Sequence, residues 1–292
     1  MSNPTVSPVN SVSPVISVSP LTSYTRAFGG LLLRDLYVLR REIGPFLIRV
    51  CMNPLLFLFV FTYIMPHMGS SGAALNPTAQ MAAGAGANFS TVLLPGLIAV
   101  AIMFSGIAAV ALPLAQEFGI TREIDDRVMC PLPVTAVALE KVIFSAVQSI
   151  FAACVVFPMA YYVPSTKVEA HVTSWPFLIA VVILASLLSG ALGLTIGTLV
   201  PPKQIGLIFG VVVMPITFLG CVYYPWIALR FNPVLQYGVL INPIVYISEG
   251  LRAALTPALG HMNQGLILLM LCIFLALLLK IGFDGFRRRV IS

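Results

Sequence analysis

One stretch of the sequence, residues 115–141, concentrates side chains that could do chemistry in water, and we term it the charged loop. Between two long apolar runs it holds eight of the chain's 26 charged residues: Glu117, Arg122, Glu123, Asp125, Asp126, Arg127, Glu140 and Lys141. Carboxylates and guanidinium groups in a polar connection can pair with a soluble partner and fix its register. The same residues also suit a solvated loop that only fixes topology, so both interpretations stay open.

The remaining polar residues offer little for catalysis. There is no GxxxxGK[ST] sequence for binding nucleotide, and no local Ser-His-Asp or Cys-His pattern. His67, His171 and His261 lie in separate polar connections, and the five cysteines show no CxxC spacing, which argues against a metal site. We therefore expect no catalytic residue, no metal and no cofactor in this chain.

The composition points to the membrane. The chain is 59% hydrophobic and 9% charged, whereas soluble domains carry about 25% charged residues. A bilayer can act as the solvent for so much apolar side chain. The formal net charge of +6 does not indicate nucleic acid, because the basic residues flank apolar runs and form no patch interleaved with aromatics. Membrane lipid is the expected surrounding.

Six apolar segments are long enough to cross a hydrocarbon core of about 30 Å at about 1.5 Å per helical residue. We predict spans near 47–65, 92–114, 142–163, 176–200, 205–224 and 266–283. They carry no carboxylate near their centres, which disfavours an ion- or proton-coupled carrier. With both termini in the cytosol, 13 of the 16 Lys and Arg residues lie inside, so the positive-inside rule favours that orientation. It also places the charged loop in the cytosol.

The sequence before the first span divides into two parts. Residues 1–22 are rich in Ser and Pro and uncharged, which predicts a disordered cytosolic tail. From 23 to 43, apolar residues including Phe28, Leu31, Leu36 and Ile43 recur at helical spacing, and Gly44-Pro45 then breaks the pattern. Basic residues occupy the other face: Arg34, Arg40 and Arg41. We predict an amphipathic helix at the cytosolic membrane surface; the alternative is an extension of the first span.

The segment 225–259 is too apolar for a loop and too interrupted by proline for two more spans. Broken backbone at membrane depth requires cover from protein or a water-filled cavity. We predict a re-entrant pair of short helices, near 227–240 and 243–255, entering from the outer face. Glu249 and Arg252 are three residues apart on one helical face. They form either a local ion pair that stabilises the helix or part of a gate.

Two stretches, residues 123–133 and residues 242–252, resemble the permeases of the ABC-2 transporter family, of the daunorubicin-resistance and polysaccharide-export type. Residues 123–133, EIDDRVMCPLP, are similar to the family's cytosolic loop, although Glu123 stands near the position of its usual glycine. Residues 242–252 match the family's N-P-x-x-Y-x-x-E-G-[LIF]-R more specifically, with Asn242, Pro243, Tyr246, Glu249, Gly250 and Arg252 all in place. The resemblance covers about residues 23–290 and implies a membrane domain over 23–292.

The resemblance implies an all-α membrane fold with an interface helix, six spans and an outer re-entrant hairpin. It implies two permease subunits, identical or different, and two cytosolic ATPase subunits that bind ATP and Mg²⁺, in a bacterial plasma membrane. Coupling to the ATPase would fall to Glu117, Arg122, Glu123, Asp125, Asp126 and Arg127; the interface helix would present Arg34, Arg40 and Arg41; and the hairpin or gate would use Asn242, Pro243, Tyr246, Glu249 and Arg252.

The function implied is export of a hydrophobic or amphipathic substrate, such as a drug, a lipid or a glycan-lipid, without catalysis by this chain. One alternative is a secondary carrier that needs no ATPase. Another is a membrane-embedded enzyme acting on lipid, which the lack of a polar constellation within the spans disfavours.

Overall fold

The computed structural model describes residues 20–60, 89–121, 133–163, 170–258 and 260–291. Within these ranges the chain is helical and contains no β-strand, which confirms the predicted all-α class. The helices are α1 Pro20–Arg41, α2 Ile43–Phe59, α3 Phe89–Gln116, α4 Val134–Tyr162, α5 Trp175–Leu199, α6 Pro202–Phe218, α7 Pro233–Gly238, α8 Pro243–Leu255 and α9 Gln264–Ile291. A π-helical turn, Glu117–Thr121, continues α3.

Four of the described helices are long and apolar enough to cross a membrane. They are Ser90–Gly119, Val134–Tyr162, Trp175–Leu199 and Gln264–Val290. The shortest has 25 residues, and at about 1.5 Å per residue it exceeds a hydrocarbon core of about 30 Å. These helices overlap the spans predicted at 92–114, 142–163, 176–200 and 266–283, although the second begins eight residues earlier than predicted and the fourth ends seven residues later.

The first predicted span and the interface helix form a bent pair. The segments Tyr24–Arg41 and Ile43–Phe59 meet at 74° and would count as a fifth span if the two are one. The break falls at Glu42 rather than at Gly44-Pro45. Pro45 lies instead in the first turn of α2, where a missing backbone N–H leaves no helical hydrogen bond unmade. Residues 61–65 of the predicted span lie outside the described ranges.

The fifth predicted span, 205–224, differs most from expectation. It is a 17-residue helix, α6, in which a π-helical turn at Phe209–Val213 separates two short α-helical parts. Seventeen residues extend only about 26 Å at the helical rise of about 1.5 Å per residue. Past α6 the backbone of Cys221 is left-handed, with φ of 52°, so the chain turns instead of continuing as a helix.

The core is built around α3, which packs against α4, α5 and α8. In its most apolar window 83% of the residues are buried, against 22% in α9, so α3 is central and α9 peripheral. Small residues let the helices approach closely: a Cβ on Gly106 of α3 would lie 2.0 Å from Oγ of Ser189 of α5. The Ser145 hydroxyl of α4 donates to the Gly106 carbonyl at 3.0 Å. Such contacts drive helix association where lipid removes the hydrophobic driving force.

The amphipathic character predicted for α1 is present in the structure. Ala27, Phe28 and Leu31 pack against a buried cluster that includes Val137 of α4, while the basic side chains Arg26, Arg34, Arg40 and Arg41 are exposed. The buried stripe is narrower than the periodicity predicts, because Leu36 is 40% exposed and Ile43 is 41% exposed.

Candidate functional site

The two ends of the charged loop are joined by a buried ion pair. Nζ of Lys141, in the second turn of α4, lies 2.8 Å from Oε1 of Glu117, where α3 passes into its π-helical turn. Each residue is only 5% exposed. A charge withdrawn from water is tolerated when a partner of opposite sign compensates it. The pair therefore closes the charged loop at its base, and we term the turn Glu117–Thr121 the loop root.

A cavity of about 540 Å³ lies between α1, α2, α3 and α4 beside the loop root. Its charged lining residues are Arg34, Asp35, Glu42, Arg49, Glu117 and Lys141. Two sites predicted separately from the sequence thus meet, because Arg34 of the interface helix and Glu117 of the charged loop line one space. Arg40 and Arg41 do not line it.

Of the six predicted coupling residues, Glu117 is described by the structure. The other five lie outside the described ranges: Arg122, Glu123, Asp125, Asp126 and Arg127. Lys141 was not among the predicted coupling residues, although it stands in the charged loop. The signal available in the sequence was its charge, opposite to that of Glu117, at the far end of the same polar stretch.

At the opposite end of the bundle, α8 begins where the asparagine–proline pair predicts. Oδ1 of Asn242 accepts from the Ile244 N–H at 3.0 Å, and Pro243 occupies the first helical turn, a combination typical of helix starts. The amide Nδ2 of Asn242 donates to the carbonyl of Ile216 at 2.6 Å. One side chain therefore caps α8 and ties it to α6.

Glu249 and Arg252 form a fully buried ion pair in α8, each 0% exposed, and we term this pair the α8 clasp. The Glu249 carboxylate also accepts from the backbone N–H groups of Trp226 at 2.8 Å and Met262 at 3.3 Å. Arg252 donates to the carbonyl of Cys221 at 3.1 Å. The clasp thus joins α8 to backbone on both sides of it in sequence.

The other residues of the same motif have comparable contacts. The Tyr246 hydroxyl donates to the Leu240 carbonyl at 3.0 Å, and its ring lies 5.8 Å from that of Phe274 in α9. All five residues predicted for the hairpin or gate are therefore near one another: Asn242, Pro243, Tyr246, Glu249 and Arg252. Sequence reasoning did not identify Cys221, whose left-handed backbone is held by Arg252.

The side chains of the loop root and of the α8 clasp connect segments of the chain to one another. Both oxygens of Glu249 accept hydrogen bonds within the protein, so this carboxylate does not face a substrate as an acid or base. Among the described residues, no three His, Cys, Asp or Glu side chains gather in a way that could hold a metal ion. The loop root and the α8 clasp instead fix helices to one another at the two ends of the bundle.

The family comparison agrees with this architecture. The family model for the ABC-2 type transporter matches residues 28–256, from within α1 to the end of α8. No curated protein matches the chain. Permeases of this family are the membrane component of ABC transporters and generally work with an ABC ATPase partner. The match covers well over half of the chain, which therefore belongs to the ABC-2 type transporter family and is a multi-pass membrane permease.

Proposed function

We propose that this chain is the permease subunit of an ATP-driven exporter that moves a hydrophobic or amphipathic substrate, such as a drug, a lipid or a glycan-lipid. Two ATPase subunits, which carry ATP and Mg²⁺, and a second permease subunit, identical or different, complete the transporter. It works in a bacterial plasma membrane. The helices α3, α4 and α5 carry no charged residue near their centres, which supports a lipid-like cargo, because a bare ion needs polar groups along its path.

The observation that carries this proposal is the ion pair between Glu117 and Lys141. A soluble ATPase binds the charged loop, whose two ends are held together by this ion pair. The residues that it engages are Arg122, Glu123, Asp125, Asp126 and Arg127. Its motion then reaches α3 and α4 as one unit, since the pair resists separation of their ends. Arg34 lines the same cavity, so the interface helix moves together with α3 and α4. Arg40 and Arg41 face the membrane surface or the ATPase.

The proposed topology has six spans with both termini in the cytosol. The spans are α2, α3, α4, α5, α6 and α9, and α7 and α8 form the re-entrant hairpin on the outer side. The separation of the loop root from the α8 clasp supports this: the loop root follows the last residue of α3, whereas Gly96, near the start of α3, lies against Val222, the neighbour of the Cys221 that Arg252 binds. The clasp and its neighbours Asn242, Pro243 and Tyr246 would then guard the outer exit.

The membrane domain is proposed to cover 23–292, with residues 1–22 as a dispensable tail. Deleting residues 2–20 should leave transport intact. Loss of transport by a deletion variant that still reaches the membrane would contradict this assignment.

Affinity purification of the full chain in mild detergent tests the central proposal. The native chain should bring with it an ATPase whose hydrolysis is measurable. The variant Asp126→Ala/Arg127→Ala should lose the ATPase or uncouple it from transport. The matched control is Asp284→Ala/Arg288→Ala, which removes the same charges from two exposed positions of α9 and should retain both.

Two outcomes would overturn the proposal. One is a native chain that purifies alone and moves its cargo down an ion gradient, which would establish a secondary carrier. The other is equal loss of ATPase in both double variants, which would show a general dependence on charge and not a docking site in the charged loop.

A further inference from the structure

The loop root is fastened to more than α4. Three residues beyond Phe286, on the same face of α9, Arg289 places its guanidinium carbon 4.7 Å from the ring centroid of Phe118. Phe286 itself, 1% exposed, meets the Phe118 ring edge to face at a centroid distance of 6.0 Å. Because residues three apart on a helix are neighbours, Phe118 is held by two adjacent side chains of α9.

Arg289 also binds the end of α5. Its Nη1 donates to the carbonyls of Gly197 at 3.2 Å, Thr198 at 3.0 Å and Val200 at 2.8 Å. Two hydrogens serve three acceptors, so the bonds are shared. The last carbonyls of a helix lack intrahelical donors and carry partial negative charge, which makes an arginine there doubly favourable. One guanidinium therefore joins α9, α5 and the loop root.

The connection from Arg289 into the membrane domain is stiff. A Cβ on Gly285 would lie 2.8 Å from Oγ1 of Thr198, and one on Gly282 would lie 3.0 Å from the Leu194 side chain. Further along, Oγ1 of Thr195 donates to the Leu278 carbonyl at 3.1 Å. Helices packed this closely move together, because a dense interface deforms little. A displacement that reaches Arg289 is passed to α5 and α9 jointly.

We propose that Arg289 is a positioning residue that transmits motion of the charged loop to α5 and α9, by clasping Phe118 of the loop root against the end of α5. The inference rests on the proposed function, since the motion it transmits is that imposed by the ATPase. It adds a second route to the one through Lys141, which joins α3 to α4. Guanidinium suits the task because its planar fork stacks on an aromatic ring while donating in its own plane.

The first test concerns the contact and needs no ATPase. Amide hydrogen exchange is measured on the full purified chain in lipid nanodiscs, for native protein and for Arg289→Ala. Exchange at Phe118–Thr121 should accelerate by about three- to thirtyfold, the range expected when a partly desolvated cation–π contact is lost. The matched control is Arg288→Ala, an adjacent exposed arginine that makes no hydrogen bond or ring contact within the described ranges.

Arg289→Lys provides a second variant that keeps the charge. Lysine lacks the fork and the stacking plane, so exchange at the loop root should fall between native and Arg289→Ala. Equal exchange in Arg289→Ala and Arg288→Ala would show that Arg289 does not hold Phe118 in place. So would acceleration spread over α3 as a whole, which would mean general unfolding.

The second test uses the chain with its co-purifying ATPase, trapped with ATP and vanadate. In the native complex, trapping should change exchange both at the loop root and at residues 264–270, the end of α9 that lies farthest from Arg289. In Arg289→Ala the first response should persist and the second should be lost. A far-end response that persists would overturn transmission through Arg289. A native chain that captures no ATPase would refute the proposed function and the transmission with it, while the nanodisc result would still decide whether Arg289 clasps Phe118.

Discussion

Lys141 and Glu117 stand 24 residues apart in the sequence, yet Nζ of the one lies 2.8 Å from Oε1 of the other. Both side chains are nearly excluded from solvent. The segment between them carries six further charged residues, so the pair lies where a polar loop meets an apolar bundle. Because of this position, we can predict whether removal of the pair raises or lowers the stability of the protein.

We predict that Lys141→Met destabilises the protein by about 3–5 kcal/mol, because it leaves the Glu117 carboxylate buried without its partner. The double variant Glu117→Gln/Lys141→Met should be less destabilised than Lys141→Met alone, since no uncompensated charge remains. Thermal unfolding in detergent measures both. The control is Lys280→Met, the same change at an exposed position of α9. Equal destabilisation by Lys141→Met and Lys280→Met would show that the pair contributes nothing specific.

The α8 clasp gives a second prediction, which concerns the packing of α8. Arg252→Met leaves a fully buried carboxylate and releases the Cys221 carbonyl, so it should cost about 3–5 kcal/mol or abolish folding. Glu249→Gln should also destabilise the protein, because Arg252 is then buried without a counter-ion, even though the amide oxygen can still accept from the Trp226 N–H. The measurement is the yield of monodisperse protein together with its melting temperature.

Arg230→Met is the matched control for the clasp, since Arg230 is exposed in the same part of the chain. Its melting temperature should be close to that of the native protein. If Arg252→Met melted like Arg230→Met, the buried pair would not stabilise the packing of α8.

The sequence predicts the parts of this fold that depend on local composition. Uninterrupted apolar length sufficed for α3, α4, α5 and α9. The start of α8 followed from Asn242-Pro243, since a side-chain cap and a proline act within one turn. The spacing of Glu249 and Arg252 allowed an ion pair because helical geometry fixes which residues are neighbours.

Local composition and helical spacing do not predict contacts between distant parts of the chain. Nothing local shows that Glu249 also binds the backbone of Trp226 and Met262, or that Lys141 meets Glu117. The shape of α6 was missed for a related reason: its apolar composition fits a full span, whereas the π-helical turn and the left-handed Cys221 depend on packing. Residues beyond helical spacing are brought together by tertiary structure, which periodicity does not encode.

The approach of α3 to the chain beyond α6 gives a third prediction. A Cβ on Gly96 would lie 1.8 Å from the backbone oxygen of Val222, and backbone cannot turn aside as a flexible side chain does. Gly96→Ala should therefore destabilise by about 1–3 kcal/mol or more, through overpacking. Gly30→Ala in α1 is the control, because no atom lies within 4 Å of its added Cβ and alanine favours helix. Unfolding temperatures compare the two, and equal values would mean that α3 is not in contact with Val222.

The cavity beside the loop root distinguishes arginines of α1 that the sequence pattern does not distinguish. Arg34 lines the space that holds Glu117 and Lys141, whereas Arg40 does not. Arg34→Ala should therefore weaken binding of the purified ATPase about two- to fivefold more than Arg40→Ala, the range that corresponds to about 0.5–1 kcal/mol for a partly exposed ion pair. The difference should shrink at high ionic strength, because salt screens exposed charges. Titration of ATPase onto nanodisc-embedded permease at low and high salt measures this. Equal weakening by the two variants would mean that ATPase binding depends on the overall positive charge of α1, and that the cavity shared with Glu117 has no part in it.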